Sequence, residues 1–286
     1  MYVVAGVTGN TGRVVASALL EQGKKVRVLA RSAEKGAPFA ARGAEVAVAS
    51  LEDEAAVARA LDGAAGAYLL APPDLASPDP VADRRRMFEG LARAAAAARL
   101  PHAVLLSSIG AQHARGNGPI KILHHAERVL AEVTALTAVR AGYFLENWGS
   151  ALPVARQDGV LPSFIPAGRP VPTVATADIG RVAAEALLAG ARGRRVIELS
   201  GPTDPTPGDV AAAAARLFGR PVKVAEAPLA AVVPTLTGFG LSAGMARLLE
   251  EMYAGVLDGT VAWEGRGAEA QRGRVGLDEG LRSLVR

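Results

Sequence analysis

The stretch that decides the fold is the N-terminal Tyr2-Val3-Val4-Ala5-Gly6-Val7-Thr8-Gly9-Asn10-Thr11-Gly12. Residues 2–7 form an apolar run that ends at glycines, which is typical of a strand buried on both faces of a parallel sheet. Residues 12–22 follow with helical spacing. Glycines three residues apart at such a junction allow a sharp turn, close approach of a pyrophosphate and close helix–strand packing. The stretch predicts a dinucleotide phosphate loop with these contact residues: Gly6, Thr8, Gly9, Asn10, Thr11 and Gly12.

Strand and helix patterns alternate through the first half of the chain. Short apolar strands are predicted at residues 2–7, 26–30, 45–49, 66–71, 103–107 and 135–140, and helices at 12–22, 51–61, 82–99 and 121–132. Regular alternation with short connections favours right-handed crossovers and a parallel sheet with helices on both faces. We therefore predict an α/β fold with a Rossmann-type, doubly wound parallel sheet.

The pattern changes near residue 149, where prolines and glycines become frequent. A helix over 178–188, capped by Thr176, a strand over 195–199 and a helix over 207–218 follow, with one or two helices in 229–254. We expect residues 1–150 to form the NAD(P)-binding Rossmann domain. Residues 151–286 are expected to form a smaller C-terminal α/β lobe that binds substrate and returns in part to the main sheet.

Composition excludes several classes of protein. The chain has no cysteine, which excludes disulfides, zinc–cysteine sites, iron–sulfur clusters and thiol nucleophiles, and no metal-ligand cluster is evident. The net charge of +4 is spread along the chain, and aromatic residues are only 4%, so nucleic acid is not an expected partner. No apolar stretch reaches the roughly 18 charge-free residues of a membrane span, and no signal-peptide pattern is seen. We expect a cytoplasmic protein that acts on a small molecule.

The end of the second strand indicates which dinucleotide is bound. NAD-binding proteins usually place a carboxylate about 20 residues beyond the glycines, where it holds the ribose 2′-hydroxyl. Here Arg31 occupies that place and Lys35 follows, with no carboxylate at the strand end. A cation would attract a 2′-phosphate, so we predict a preference for NADP(H) over NAD(H).

The usual proton donor of short-chain reductases is missing. Many of these enzymes carry a serine after the fifth strand and a Tyr-x-x-x-Lys pair on the next helix. The fifth strand ends at Ser107, which we expect at the cofactor, but the next helix has no tyrosine. It offers His124 and His125 instead, either of which is a candidate general acid or ribose-orienting group. Adjacent histidines point to different sides of a helix, so which one faces the nicotinamide stays open.

The chain resembles the NmrA-like family of atypical short-chain dehydrogenases/reductases over roughly residues 1–200. The resemblance rests on the glycine loop, Arg31, residues 69–73 (LLAPP), residues 105–108 (LLSS), Glu127 and residues 140–147 (RAGYFLEN). The last of these is the most specific to the group. The resemblance implies an NADP-binding Rossmann fold in which these residues contact the cofactor: Leu70, Ala71, Pro72, Tyr143, Phe144 and Asn147.

Two functions are compatible with the absence of the tyrosine proton donor. The quinone-reductase branch of the family implies hydride transfer from NADPH to a quinone or another flat electrophile, which can take its proton from water. Aromatic residues such as Tyr143 and Phe144 at the strand ends suit an apolar or aromatic substrate, although packing between the lobes explains them equally well. The alternative is a non-catalytic NADP-binding redox sensor that acts through a protein partner. A homodimer is left open, and an epimerase or dehydratase would need a catalytic Tyr or Lys that is absent.

Overall fold

The computed structural model describes residues 1–285. Within them the strands are β1 (Tyr2–Val4), β2 (Val26–Ala30), β3 (Glu45–Val48), β4 (Gly66–Leu69), β5 (His102–Ser108), β6 (Ala135–Ala141), β7 (Tyr143–Phe144), β8 (Val160–Ser163), β9 (Thr173–Val174), β10 (Arg195–Ser200), β11 (Lys223–Glu226) and β12 (Glu269–Arg272). The α-helices are α1 (Asn10–Glu21), α2 (Ala33–Ala40), α3 (Glu54–Leu61), α4 (Pro80–Ala97), α5 (Ile120–Ala131), α6 (Leu152–Asp158), α7 (Thr176–Ala189), α8 (Pro207–Phe218), α9 (Val232–Gly238), α10 (Ala243–Asp258) and α11 (Leu277–Leu284). Two 3₁₀ helices span Leu145–Ser150 and Leu229–Ala231.

Eight strands form one parallel sheet in the order β12-β10-β6-β5-β4-β1-β2-β3. Helices α1 and α7 pack together on one face, and α3, α4 and α5 pack side by side on the other. The predicted doubly wound α/β fold is confirmed. Because all eight strands are parallel, their carboxyl ends lie along one edge, where ligands of such sheets bind.

The central strands of the sheet are apolar on both faces because helices cover both faces. One core contains Leu69, Phe88 and Leu105, and the core on the other face contains Val28 and Ile179. These layers fix the strand ends and therefore the loops at the carboxyl edge.

Several predicted bounds shift by a few residues for local reasons. Helix α1 begins at Asn10 rather than residue 12, because Gly9 already serves as its N-cap. Helix α3 begins at Glu54 rather than residue 51, because the Asp53 carboxylate accepts the backbone N–H of Ala56 at 3.0 Å and caps it. Helix α2 was not predicted, since Gly36 and Pro38 within it hide its helical pattern.

The second half of the chain contributes strands to the main sheet and also forms a separate apolar core. β10 and β12 extend the main sheet beyond β6, and α7 packs on α1. A separate apolar core around Trp148, Leu161 and Val210 joins α6, β8, α8 and α11. Within the predicted helical stretch 229–254, the structure has the second 3₁₀ helix, α9 and the greater part of α10. Among residues 1–285, no helix combines the length and apolarity needed to cross a bilayer.

The predicted cap at Thr176 is wrong. The N-cap of α7 is Ala175, and no side chain caps that helix in the usual way. Thr176 is instead the first helical residue, and its hydroxyl donates to Glu146 Oε1 at 2.6 Å. The Glu146 carboxylate also accepts the backbone N–H of Thr176 at 2.9 Å, so a residue from the 3₁₀ helix satisfies this terminus.

Candidate active site at the carboxyl edge of the sheet

The loop between β1 and α1 can be built only with glycine at two positions. Gly6 has φ +66°, and a Cβ there would lie 2.4 Å from Leu70 Cδ2. A Cβ on Gly12 would lie 2.4 Å from the carbonyl oxygens of Ala5 and Gly6. The first glycine supplies the turn and the second lets α1 begin directly against β1, as the sequence predicted.

The first turn of α1 is open to a ligand. Its N-cap, Gly9, has no side chain to accept a helix N–H, and the first turn carries no acidic residue. Thr8, Gly9 and Asn10 are exposed at this end. The free N–H groups and the positive end of the helix dipole therefore face solvent at the sheet edge, which fits the pyrophosphate of a dinucleotide.

A buried tyrosine on β4 forms a hydrogen bond to the first turn of α1, beside the glycine loop. The Tyr68 hydroxyl on β4 donates a 2.8 Å hydrogen bond to Thr11 Oγ1 in the first turn of α1. Tyr68 is fully buried, and burial raises the pKa of its hydroxyl, so it stays protonated and remains a donor. The bond ties the phosphate loop to the neighbouring strand.

Two cations lie at the end of β2. Arg31 follows the strand directly and is exposed, and Lys35 is exposed in the first turn of α2. Ser32 between them caps α2 by accepting the backbone N–H of Lys35 at 3.4 Å. The structure thus places two cations at this strand end, with one carboxylate, Glu34, between them in the first turn of α2.

The segment after β4 lies beside the phosphate loop. Leu70, Ala71 and Pro72 are half-buried, and the Leu70 side chain lies directly under Gly6. These three residues form an apolar surface next to the glycine loop.

Ser107 is part of a buried polar network. Its hydroxyl donates to Glu127 Oε1 on α5 at 2.6 Å, and the residue is 2% exposed. Arg140 on β6 holds the same carboxylate with two bonds, Nε to Oε1 at 2.9 Å and Nη2 to Oε2 at 2.8 Å. The Ser107 hydroxyl is therefore engaged with an acid, and the residue as a whole is almost completely buried.

The network continues to the C-terminal segment. Arg140 Nη1 donates to the Glu264 carboxylate at 2.5 Å, and the Glu198 carboxylate on β10 accepts the N–H of Glu264 at 2.6 Å. Burial acts to lower the pKa of Arg140, but the hydrogen bonds and charge of Glu127 and Glu264 outweigh it and raise that pKa. Arg140 thus fastens the segment before β12 against the sheet.

The structure separates the two candidate histidines. His124 is half-buried, and its Nδ1 lies 2.9 Å from the carbonyl oxygen of Ala111, in the loop that follows β5. His125 Nε2 lies 3.1 Å from Glu89 on α4. Burial lowers the pKa of His125 more than the Glu89 charge raises it. His124 is thus the histidine brought to the loop at the carboxyl edge.

Helix α10 crosses the carboxyl edge. At its start, the N–H of Ser242 donates to the Leu75 carbonyl in the segment after β4 at 2.8 Å. Further along, Glu251 accepts Lys121 Nζ at 2.7 Å and the N–H of Gly116 at 2.8 Å. Burial acts to raise the pKa of Glu251, but these donors lower it, so the carboxylate stays ionised. The helix therefore spans the carboxyl edge of the sheet, from the segment after β4 to the start of α5.

Two aromatic pairs lie on this side of the molecule, one within the segment after β6 and one between the segment after β8 and α10. The ring centroids of Tyr143 and Trp148 are 5.6 Å apart, and those of Phe164 and Tyr253 are 5.3 Å apart, both pairs tilted. Phe144, beside Tyr143, packs on the core shared with α1 and α7, and Asn147 is exposed. Tyr143 and Asn147 thus lie in the segment directly after β6, at the carboxyl edge of the sheet.

Sequence reasoning missed Tyr68, Glu251, Tyr253 and Glu264. Each acts across a long separation along the chain, and no local motif marks any of them. The role of Tyr68 depends on β4 lying beside β1, which the order of strands in the sheet decides.

A cavity of about 600 Å³ opens in the C-terminal lobe rather than at the carboxyl edge. Its walls include Leu152, Arg156, Phe218, Arg220 and Leu284. None of the residues predicted to bind the cofactor lines it. Within residues 1–285 no group of three metal-ligating side chains is found either.

A sequence profile of the NmrA-like family matches residues 2–265, which include the glycine loop and the whole site described above. The chain belongs to the NmrA-like family. The resemblance inferred from the motifs is thereby confirmed, and the match extends well beyond residue 200.

Two named relatives of this NmrA-like chain are reductases. It is 28% identical over 281 residues to an NAD(P)H azoreductase of Xenophilus azovorans, covering 94% of each protein. It is 25% identical over 265 residues to quinone oxidoreductase 2 of Escherichia coli, covering 91% of this chain and 89% of the relative. A crystal structure of the Escherichia coli NADPH-dependent quinone oxidoreductase with NADPH superposes over 100% of both chains, with TM-score 0.84 and 25% identity. A triphenylmethane reductase of Citrobacter, at 16% identity and TM-score 0.82, shares the fold.

Proposed function

We propose that this NmrA-like protein reduces a quinone or a similar flat electrophile with NADPH. The observation that carries the proposal is the pairing of an uncapped glycine loop with two aromatic residues, Tyr143 and Phe144, at the same edge of the sheet. The reductases among its relatives, an NAD(P)H azoreductase and a quinone oxidoreductase, support an NAD(P)H-dependent oxidoreductase.

The residues present fit a dinucleotide. The backbone N–H groups at the start of α1 would hold the pyrophosphate, and the absence of a Cβ at Gly6 and Gly12 provides the space. Leu70, Ala71 and Pro72 would lie along the cofactor next to that loop, with Tyr143, Phe144 and Asn147 on the strand-six side. When bound, NADPH supplies a hydride.

A preference for NADPH over NADH is part of the proposal. Arg31 and Lys35 supply positive charge at the end of β2, and both are exposed. A 2′-phosphate carries negative charge that a guanidinium binds well, often through two parallel hydrogen bonds. NADH lacks that group and would gain nothing from either cation.

The protein's own residues orient the substrate and limit access of water. Phe164 and Tyr253 offer an aromatic surface, with their rings tilted by 52°, and α10 is tied to the segment before α5 through Glu251. His124, with Nδ1 at the Ala111 carbonyl, would present its other ring nitrogen for orienting the nicotinamide ribose. His125 Nε2 contacts Glu89, so this histidine would have to break that contact to take part in the reaction.

The test is NADPH consumption by the purified protein, followed by absorbance with and without p-benzoquinone, duroquinone and an azo dye, with NADH alongside. We expect loss of NADPH that depends on the acceptor and is faster than loss of NADH. Cofactor binding without turnover of any acceptor would overturn the proposal and restore the redox-sensor hypothesis, which no comparison favours. Cytoplasmic location and a homodimer stay predictions from the sequence.

A further inference from the structure

His124 lies on α5 between a contact to α10 and a contact to the sheet. Three residues before it, Lys121 Nζ donates to the two oxygens of the Glu251 carboxylate on α10, at 2.9 and 2.7 Å. Three residues after it, Glu127 accepts the hydroxyl of Ser107 at the end of β5, at 2.6 Å. Side chains three residues apart on a helix are neighbours, so His124 lies between these two contacts, at the carboxyl edge of the sheet.

The loop between β5 and α5 is braced by one of its own side chains. Asn117 is fully buried, and its Nδ2 donates to the carbonyl oxygens of Gly110 and His113 at 2.9 and 2.8 Å. Ala111 lies between those two residues, and its carbonyl oxygen is 2.9 Å from His124 Nδ1. The orientation of the imidazole ring therefore depends on how this loop is fixed.

Helix α10 fixes that loop through Glu251. Its Oε1 accepts the backbone N–H of Gly116 at 2.8 Å. On one side of this bond, a Cβ on Gly118 would overlap the Leu248 carbonyl oxygen. On the other side, a Cβ on Gly255 would lie 2.5 Å from the Gly116 carbonyl oxygen. The backbones of the helix and the loop thus meet on both sides of Glu251, so the loop moves with the helix.

The contact with Ala111 decides which ring nitrogen of His124 carries the proton. A carbonyl oxygen only accepts hydrogen bonds, so Nδ1 must donate, and in a neutral imidazole Nε2 is then an acceptor without a proton. No hydrogen bond within residues 1–285 engages Nε2, and this nitrogen is not among their fully buried atoms without a partner. Nε2 is therefore open to a ligand, and what the neutral ring offers that ligand is a lone pair.

We propose that Glu251 is a positioning residue: by fixing the loop, it keeps His124 in the Nδ1–H tautomer, with Nε2 ready to accept a hydrogen bond from a ribose hydroxyl of the bound cofactor. This inference rests on the proposed function, in which a nicotinamide dinucleotide binds at this edge. A hydroxyl can donate its proton to such an acceptor. The neutral Nδ1–H tautomer has no proton on Nε2 to give to a substrate, which assigns His124 to binding rather than to acid catalysis.

The first test reads the tautomer directly and needs no turnover. Nitrogen-15 spectra at about pH 8, where histidines are neutral, distinguish a ring nitrogen that carries hydrogen from one that does not. The His124→Asn variant identifies the signals of His124. We expect hydrogen on Nδ1, a shift of the Nε2 signal when NADP⁺ is added, and a mixture of tautomers in Glu251→Ala.

Glu250→Ala is the matched control for that spectrum. It makes the same charge change one residue earlier on α10, on a different side of the helix, and should leave the signals of His124 as in the wild type. Hydrogen found on Nε2 would overturn the inference. So would an Nε2 signal that stays in place although calorimetry shows that NADP⁺ binds.

The second test asks whether Glu251 acts through His124. His124→Asn keeps an N–H donor for Ala111 but lacks the Nε2 acceptor, so the Kd for NADP⁺ should rise about five- to tenfold, as for loss of one hydrogen bond. Glu251→Ala should raise it about threefold in the wild type and not at all in the His124→Asn background, because the contact that it positions is already gone. Glu251→Gln, which can still accept the N–H of Gly116, should bind nearly as the wild type does. Equal effects of Glu251→Ala in both backgrounds would show a purely structural role and overturn the inference.

The outcomes separate this inference from the proposed function. If NADP⁺ binds and the His124 results are as expected but no acceptor is reduced, the proposed reductase activity fails and the positioning role stands. If an acceptor is reduced while neither the His124 spectrum nor the Kd responds to Glu251→Ala, the positioning role alone fails.

Discussion

Tyr68 and Thr11 are joined by a buried 2.8 Å hydrogen bond beside the glycine loop. The bond links the middle of β4 to the first turn of α1, next to the N–H groups proposed to bind the pyrophosphate. It therefore makes the conformation of the loop depend on a residue of a neighbouring strand.

Tyr68→Phe should weaken NADPH binding without unfolding the protein. Loss of one buried hydrogen bond costs about 1 kcal/mol, which corresponds to roughly a fivefold rise in the Kd for NADPH. Calorimetric titration with NADPH measures it. Thr11→Val should give a similar rise, and the double variant should lose little more, because the same bond is removed. A drop in Tm with unchanged Kd would show that the bond serves only folding.

Gly12→Ala should damage both folding and cofactor binding. The added Cβ would meet the Ala5 and Gly6 carbonyl oxygens at 2.4 Å, so α1 would have to move away from β1. Overpacking of this kind costs about 1–3 kcal/mol. Gly168→Ala is the matched control, since a Cβ there meets nothing within 4 Å. Urea unfolding compares the two, and equal stability would show that α1 has room to shift.

Arg31→Asp should separate the two nicotinamide cofactors. Reversal of charge at the end of β2 removes an attraction for the 2′-phosphate and adds a repulsion. We expect the Kd for NADPH to rise about 10- to 100-fold, with little change for NADH. Lys25→Asp, at the other end of β2, makes the same charge change and should affect neither. Equal weakening of NADPH and NADH binding by Arg31→Asp would exclude the 2′-phosphate role.

The sequence predicted what depends on local pattern and missed what depends on packing. Glycine spacing located the sharp turn between β1 and α1, and apolar periodicity located β1 to β6 and most of the helices between them. Helix α2 was hidden by Pro38, and β12 by the polar run Glu269–Arg272 at the sheet edge. The ion pair of Arg140 with Glu264 and the ring contact of Phe164 with Tyr253 form only once α10 and the following segment fold back over the sheet.

His102 should make the fold less stable in mild acid. It is fully buried at the start of β5, with Nε2 3.0 Å from Thr137 Oγ1. Burial first, and the Arg195 charge second, lower its pKa from the ordinary 6.5. Below pH 6.5 the unfolded chain therefore takes up a proton that the folded chain refuses. The contribution of neutral, buried His102 to the free energy of unfolding is therefore complete above pH 6.5. It is lost as the pH falls toward the pKa of His102 in the folded protein.

Urea unfolding of the wild type and His102→Gln, at a series of pH values from 8 down to 5, checks this. The wild type should lose stability below its unfolded-state pKa, and the glutamine variant should lose less over the same interval. Parallel profiles for the two proteins would assign the acid sensitivity to other groups.

Glu127→Gln should be among the most destabilising single changes outside the cofactor loop. Glu127 and Arg140 are both almost completely buried, with side chains 3% and 2% exposed. Removing one partner leaves a buried charge with less compensation, which costs about 3–5 kcal/mol. Glu264 still reaches Arg140 and reduces the loss, so we expect the lower end of that range.

The exposed pair Arg128–Glu132 on the same helix provides the control for that prediction. Glu132→Gln should change the free energy of unfolding by no more than about 0.5 kcal/mol. Replacing both buried partners, with Glu127→Leu and Arg140→Met, should cost less than Glu127→Gln alone, because no charge is then left unpaired. If the double variant is the less stable one, the network stabilises the fold through its hydrogen bonds to Ser107 and Glu264 rather than through mutual charge compensation.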